Sequence, residues 1–340
     1  MKVGIIGAGS WGLALSIVFS KNNDVKMWVR RKEVINYIKT YSESPDYLKG
    51  VKIPSVINLV SDPRDLNDRD VVFVVVPSKY LRDTLKEFKE ILKGKVIVSC
   101  TKGLEFETLK FPTEIIIDEI EVSDVGVLSG PSHAEEVALG LPCAITLAMD
   151  NLNLAKEIQS SISSDSFRVY VWDDIRGVEV SGVTKNIIAI AAGVCDGLML
   201  GDNAKASLIT RGLHEISKFG LKMGGKFETF FGLSGVGDLI VTCTSKHSRN
   251  RGLGERIAKG EKPEEVIKSS KMVAEGYYST PAIKKLAEIN NIEMPIVNEV
   301  FSILYEGKSP LESLRSLMGR KLKTEFYLDV LHQDVLHQDI

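Results

Sequence analysis

The first twelve residues constrain the fold more than any other stretch. "MKVGIIGAGSWG" runs from an apolar, β-branched segment into Gly7-x-Gly9-x-x-Gly12, and "WGLALSIVFS" continues at helical period. Glycines at this spacing between a strand and a helix serve three separate ends. Gly7 permits a tight turn, Gly9 lets a pyrophosphate approach the backbone, and Gly12 lets helix and strand pack closely. The N-terminus of the helix adds free N–H groups and a positive dipole end for phosphates. The chain is expected to open with a dinucleotide-binding βα unit.

The following segments extend that pattern. "DVKMWV", "DVVFVVVP", "KVIVSC", "VGVLSG", "CAITLAM" and "FRVYV" read as strands, with helical periods over about 33–40, in "LRDTLKEFKEIL" and near 154–163. This alternation predicts the α/β class: an N-terminal Rossmann-like, mostly parallel sheet with helices on both faces. After about Asp174 helical periods follow one another, over Val178–Gly197, Asn203–Met223, Pro263–Lys271, Thr280–Asn290, Pro295–Tyr305 and Pro310–Met318. Ser279-Thr280-Pro281 and Ser309-Pro310 place a capping hydroxyl before a first-turn proline. A chain of 340 residues has room for two cores. The expected division is a dinucleotide-binding domain over 1–174 and an all-α substrate domain over 175–340.

Charge and cysteine usage narrow the function classes. Net charge is −2, from 43 basic and 45 acidic side chains, without the basic excess of a nucleic-acid or membrane surface. Any anionic ligand must therefore be met by local positive charge. Cys100, Cys143, Cys195 and Cys243 form no C-x-x-C pair, so reduced core thiols are expected and no metal site. The N-terminus lacks signal-peptide features, and no apolar run approaches the roughly 20 residues of a membrane span. A cytoplasmic protein without membrane insertion is the expectation. The tail "VLHQDVLHQD" is too short for a repeat architecture, and His332 and His337 are not at the i, i+4 spacing of a helical metal pair. A C-terminal helix is expected there.

Four stretches carry candidate chemistry. The second strand ends in Arg30-Arg31, where NAD-preferring folds place an acid. Two guanidiniums suit a 2′-phosphate, so NADP(H) is favoured and NAD(H) remains possible. "VSCTKGLE" and "VLSGPSHAEE" place Lys102, and Gly130, Ser132 and Ala134, just beyond strand ends, the edge at which open α/β sheets bind ligands. "GLSGVGDLIVTCTSKHSRN" sets Asp238 among apolar neighbours and gathers Ser248, Arg249 and Asn250 before a helix, a donor set suited to phosphate. In "SGVTKNIIAIAAG", Gly182, Asn186, Ala189 and Gly193 form a stripe of small residues with Lys185 at its edge. A snorkelling lysine is the ordinary reading of such a position. An ammonium aimed into an interdomain cleft is the functional one.

Together, "GAGSWGLAL", "TKGLE", "LSGPSHAEE", "VTKNIIAIAAG", "GDNAKASLITRGLHEI", "GVGDLIVTCTSKHSRN" and "VAEG" resemble, in order, the blocks of bacterial-type NAD(P)-dependent glycerol-3-phosphate dehydrogenases, and span nearly the whole chain. The resemblance implies interconversion of dihydroxyacetone phosphate and sn-glycerol 3-phosphate, supplying phospholipid synthesis, by a homodimer. It implies Lys185 as the catalytic acid/base. Cofactor contacts would come from Gly7, Gly9, Ser10, Trp11, Gly12, Arg30, Arg31, Tyr47, Lys102, Ala134, Arg249, Val273 and Glu275. Substrate contacts would come from Lys102, Gly130, Ser132, Lys185, Asp238, Ser248, Arg249 and Asn250. Ser181-Gly182-Val183-Thr184 departs from the glycine–alanine–leucine stretch frequent in relatives. Two rival readings keep the fold: a two-domain dehydrogenase of sugar acids or ketopantoate, and a catalytically silent dinucleotide sensor.

Overall fold

The computed structural model describes residues 1–270 and 273–325. The "VLHQD" tail with His332 and His337, and Lys271 at the expected end of one helix, lie outside the described residues. Strands β1 (Lys2–Ile6), β2 (Asp24–Trp28), β3 (Asn58–Val60), β4 (Val71–Val74), β5 (Val96–Ser99), β6 (Asp124–Ser129), β7 (Cys143–Met149) and β8 (Phe167–Trp172) form one sheet, ordered β3-β2-β1-β4-β5-β6-β7-β8. The strands from β3 to β6 pair in parallel, β7 runs antiparallel to β6, and β8 is parallel to β7. Helices α1 (Ser10–Phe19), α2 (Lys32–Tyr41), α3 (Leu81–Leu92), α4 (Pro112–Glu119), α5 (Ala134–Ala138) and α6 (Leu152–Ile162) cover it. All of β4 is buried, because helices on both faces leave a central parallel strand no solvent side. One apolar cluster centres on Ile5, Phe19, Phe73 and Leu147, and another on Ile6, Val74, Phe88 and Ile97.

The order reverses between β1 and β4, so the loops leaving these two strands diverge and open a crevice at the sheet's C-terminal edge. Gly7 (φ 115°) turns the chain there. A Cβ on Gly7 would stand 2.4 Å from the Val75 carbonyl oxygen, and one on Gly12 would stand 1.9 Å from that of Gly7. Both positions exclude side chains for lack of space.

The helical part follows as α7 (Ile175–Gly197), α8 (Gly201–Lys222), α9 (Phe227–Phe231), α10 (Asp238–Thr244), α11 (Arg249–Ala258), α12 (Pro263–Ser269), α13 (Glu275–Ile289), α14 (Pro295–Tyr305) and α15 (Pro310–Met318). Among the described residues after Trp172 there is no strand. α7 corrects the expectation that no apolar run nears the length of a membrane span: it has 23 residues and is apolar enough to cross one. It is instead the central stave of the helical part, with every residue from Gly177 to Val194 buried. A helix surrounded by protein has no polar face to keep. Asp174 starts it, accepting from Gly177 N at 2.8 Å. Gly193 and Gly254 let α7 and α11 touch backbone to backbone, since a Cβ on either would lie 1.9 Å from a carbonyl of the other helix.

The proline signals divide. Ser309 caps α15 and Glu312 reaches back to it, a reciprocal capping box. Pro281 does not start a helix: α13 begins six residues earlier and carries the proline inside. The carbonyl that Pro281 leaves without its helical donor is that of Tyr277, and the Tyr305 hydroxyl from α14 donates to it.

Candidate active site

An open cleft lies between the sheet's C-terminal edge and the helical part. Gly9, Ser10, Trp11, Gly12 and Tyr47 line one end, Lys102, Ser132 and Ala134 the middle, and Lys185, Asp238, Ser248, Arg249, Asn250, Val273 and Glu275 the helical wall. Gly7, Arg30, Arg31 and Gly130 are not among the lining residues.

At the glycine turn, a Cβ on Gly9 would meet nothing within 4 Å. Unlike its two companions, Gly9 keeps open a space that belongs to the cleft. It is also the N-cap of α1 and offers no capping side chain, so first-turn N–H groups remain for an anion. The Trp11 indole N–H is buried without a hydrogen-bond partner among the described residues. These features fit a diphosphate and its attached groups. Beyond β2, Arg31 is ion-paired with Asp46, whereas Arg30 is exposed and makes no ion pair among the described residues. The expected pair of guanidiniums is thus one committed and one open.

Near the centre, one carboxylate joins two ammoniums. Lys185 Nζ donates to Asp238 Oδ1 (2.6 Å) and Thr242 Oγ1 (2.8 Å). Lys102 Nζ donates to Asp238 Oδ2 (2.8 Å) and the Gly130 carbonyl (3.3 Å). Gly130 therefore acts through its main chain, and its carbonyl also accepts from Ser132 Oγ at 2.9 Å. Lys185 and Asp238 are 5% and 1% exposed, so Lys185 does not snorkel. Burial is the largest influence on its ammonium. Asp238 opposes that influence, Lys102 adds to it, and the net value falls from 10.5 to about 8. For Asp238, burial works toward protonation, but the two ammoniums outweigh it and hold the carboxyl below its ordinary value. With two of its three hydrogens engaged, the Lys185 ammonium retains one donor.

The small-residue stripe has two jobs. At Gly193 it admits α11, and at Gly182 it lies beside Ser129 and Lys102, where an added Cβ would stand 3.3 Å from Ser129 Oγ and at ordinary contact distance, 3.6 Å, from Lys102 Cγ. Asn186, between them, donates to the Lys102 carbonyl (3.3 Å) and accepts from Asn250 Nδ2 (2.9 Å). Asn250 Oδ1 accepts in turn from Gly276 N (2.9 Å). Asn250 is thus largely committed to the protein, joining α11 to α7 and α13, while Asn186 ties α7 to the loop after β5. Ser248 caps α11 by accepting from Arg251 N (3.2 Å), and the exposed Arg249 reaches the Val273 carbonyl at 3.5 Å. Glu275 accepts from Ser78 N (2.9 Å) and Ser78 Oγ (2.5 Å), closing the helical part onto the loop after β4. Thr184 leaves the site unaltered: its hydroxyl donates to the Val180 carbonyl within α7 (2.6 Å).

Sequence reasoning missed Thr242, Asn186, His133 and His247 as lining residues. Thr242 stands one helical turn beyond Asp238, a signal present in the sequence. The two histidines join the cleft only through tertiary approach, their rings 5.8 Å apart. Among the described residues no cluster of metal-ligating side chains occurs.

Comparison with known proteins agrees with this architecture. Residues 2–155 match the model of the NAD-dependent glycerol-3-phosphate dehydrogenase N-terminus, and residues 174–315 that of its C-terminus. A glycerol-3-phosphate dehydrogenase [NAD(P)+] from Thermotoga sp. (strain RQ2) is 44% identical over 96% of this chain and 99% of its own. One from Bacillus cereus (strain B4264) is 47% identical over 95% and 97%. The crystal structure of glycerol-3-phosphate dehydrogenase from Coxiella burnetii superposes with a TM-score of 0.89 at 36% identity, covering 94% of this chain and 98% of that one. The chain belongs to the NAD-dependent glycerol-3-phosphate dehydrogenase family.

Proposed function

We propose that the protein is an oxidoreductase interconverting dihydroxyacetone phosphate and sn-glycerol 3-phosphate with NADP(H) or NAD(H), and that Lys185 is its proton donor and acceptor. The observation that carries this reading is the Lys185–Asp238–Lys102 bridge, in the same cleft as the Gly9 turn. Residues 1–174 would hold the dinucleotide and 175–340 supply the catalytic wall. Gly9, Ser10, Trp11, Tyr47, Ala134, Val273 and Glu275 border the path for the cofactor, and Arg30 offers its open guanidinium to a 2′-phosphate. A nicotinamide cofactor held along this path would supply or accept the hydride.

The chain's own residues do the rest. Ser248 and Arg249, at the N-terminus of α11, receive the phosphate, and that remote binding holds the carbonyl in place. Lys185 donates its remaining hydrogen to the developing alkoxide and stabilises its charge. In the reverse direction, neutral Lys185 takes the hydroxyl proton. Asp238 fixes the Lys185 ammonium, and Asn186 with Asn250 fixes the walls around it. A homodimer, a cytoplasmic location and a role in supplying phospholipid synthesis rest on the family resemblance.

Initial rates of NADPH and NADH oxidation test the reading, with dihydroxyacetone phosphate compared against ketopantoate and 2-keto sugar acids. Turnover confined to the phosphorylated triose supports it. Preference for a keto acid favours the rival dehydrogenases, and cofactor binding without oxidation of any substrate favours a sensor.

A further inference from the structure

The stretch "GDNAKASLITRGLHEI" on α8 has no part in the scheme above, and none of its residues lines the cleft. Its Lys205 reaches the far end of α7 instead. Lys205 Nζ donates to both oxygens of Asp196, at 2.9 Å each, and Asp196 Oδ2 also accepts from Arg251 Nε on α11. The three side chains are between 17% and 21% exposed, so these ion pairs are partly shielded from the screening that weakens surface pairs. Asp196 stands in the last turn of α7 and Arg251 in the first turn of α11. Those are the helix ends that disfavour a carboxylate and a guanidinium respectively. Neither helix gains from its own charge there, and the gain lies in the link between them.

Arg251 shares its turn with the residues proposed to receive the phosphate. Arg249 lines the cleft and Arg251 does not, since two positions at about 100° per residue place them on opposite sides of α11. Arg251 N donates to the Ser248 hydroxyl (3.2 Å), which couples the cap to the residue that Asp196 holds. Asn250 ties the same turn to Asn186, about 15 Å along α7 from Asp196. Two attachments that far apart fix the direction of the helix start, where one alone would leave it free to swing. We infer that Asp196, itself held by Lys205, is a positioning residue for substrate: through Arg251 it sets the direction in which the first turn of α11 presents Ser248 and Arg249 to the phosphate. This rests on the reading of Ser248 and Arg249 given above.

The test compares wild type, Asp196→Ala, Arg251→Met, Arg251→Gln, Arg249→Ala, and the double variant of Asp196→Ala with Arg251→Met. Two quantities are measured: kcat/KM with dihydroxyacetone phosphate, and competitive inhibition by inorganic phosphate, which probes the receiving turn alone. Met keeps the apolar stem without a donor, whereas Gln keeps an N–H at the position of Nε. Asp196→Ala and Arg251→Met should each lower kcat/KM about tenfold and raise the inhibition constant by a similar factor. The double variant should lose no more than either single one, and Arg251→Gln should stay within about threefold of wild type. Additive losses in the double variant, or a Gln variant as impaired as the Met variant, mark a general loosening and overturn the inference. Single variants within about twofold of wild type overturn it as well, leaving the reading of Arg249 intact. If inorganic phosphate does not compete in wild type, or competes equally well in Arg249→Ala, the phosphate reading falls and the inference with it. If one of the two single variants melts below assay temperature, the other decides.

Discussion

Lys102 Nζ, from the loop after β5, lies 2.8 Å from Asp238 Oδ2 at the start of α10. The same carboxylate binds Lys185 through its other oxygen. One negative charge thus serves two positive ones, and the site keeps a local positive excess in a chain whose net charge is −2. A dianionic triose phosphate is drawn to that excess. The bridge also crosses from the sheet to the helical part, so charge placement and the closeness of the two parts depend on one another.

The pH dependence of turnover follows from the Lys185 value of about 8. Reduction requires the protonated amine, so kcat/KM for dihydroxyacetone phosphate should hold below that value. Above it, kcat/KM should fall about tenfold per pH unit. Oxidation of glycerol 3-phosphate requires the neutral amine and should climb over the same interval. Asp238→Asn removes the carboxylate that favours the charged form, and the falling limb of reduction should move to lower pH. Initial-rate profiles in both directions check the sign.

Gly9 and Gly12 should separate binding from stability. Gly12→Ala forces a Cβ against the Gly7 carbonyl and should lower the melting temperature by several degrees. Gly9→Ala meets open space in the protein and should melt as wild type while binding NADPH at least about tenfold more weakly. Thermal melts and fluorescence titrations of the two variants distinguish these outcomes.

Cofactor choice should turn on Arg30. Arg30→Asp is expected to raise KM for NADPH by at least about tenfold and to change KM for NADH little, since a 2′-phosphate is lost as a partner. Arg31→Ala should have the smaller effect, because Asp46 already takes that guanidinium. Steady-state kinetics with both cofactors measures the ratio.

Glu215 predicts a pH dependence of stability. Its carboxyl, on α8, accepts from Ile296 N (2.8 Å) and Val297 N (3.3 Å) at the start of α14. Burial raises its value to about 8 from an ordinary 4.5. A raised folded value means that the native state holds the proton more tightly than the unfolded chain. That stability is present below about 4.5 and is lost as pH rises through about 8. Glu215→Gln cannot ionise, so its melting temperature should gain several degrees on wild type between pH 5 and pH 9.

Local rules explain which parts of this molecule its sequence reveals. The turn at Gly7–Gly12 is legible because its spacing and its neighbours lie within one βα unit, and Ser309 reads correctly because its cap partner is three residues away. Pro281 misleads because the group that tolerates it, the Tyr305 hydroxyl, comes from the next helix. β3 has only three residues, too short for a period to show. Lys185 and Asp238 stand out as charges in apolar runs, but their mutual 2.6 Å contact spans 53 positions. His133 and Asn186 enter the cleft solely because α7, α10 and α11 converge on the β6 loop.

The most direct measurement is turnover by Lys185→Ala at pH 7, with NADPH affinity measured in the same preparation. Loss of about 10³-fold or more in kcat with dihydroxyacetone phosphate, at unchanged cofactor affinity, is the predicted result. A variant that binds NADPH normally and keeps turnover within about tenfold of wild type would contradict the assignment of the proton to this residue.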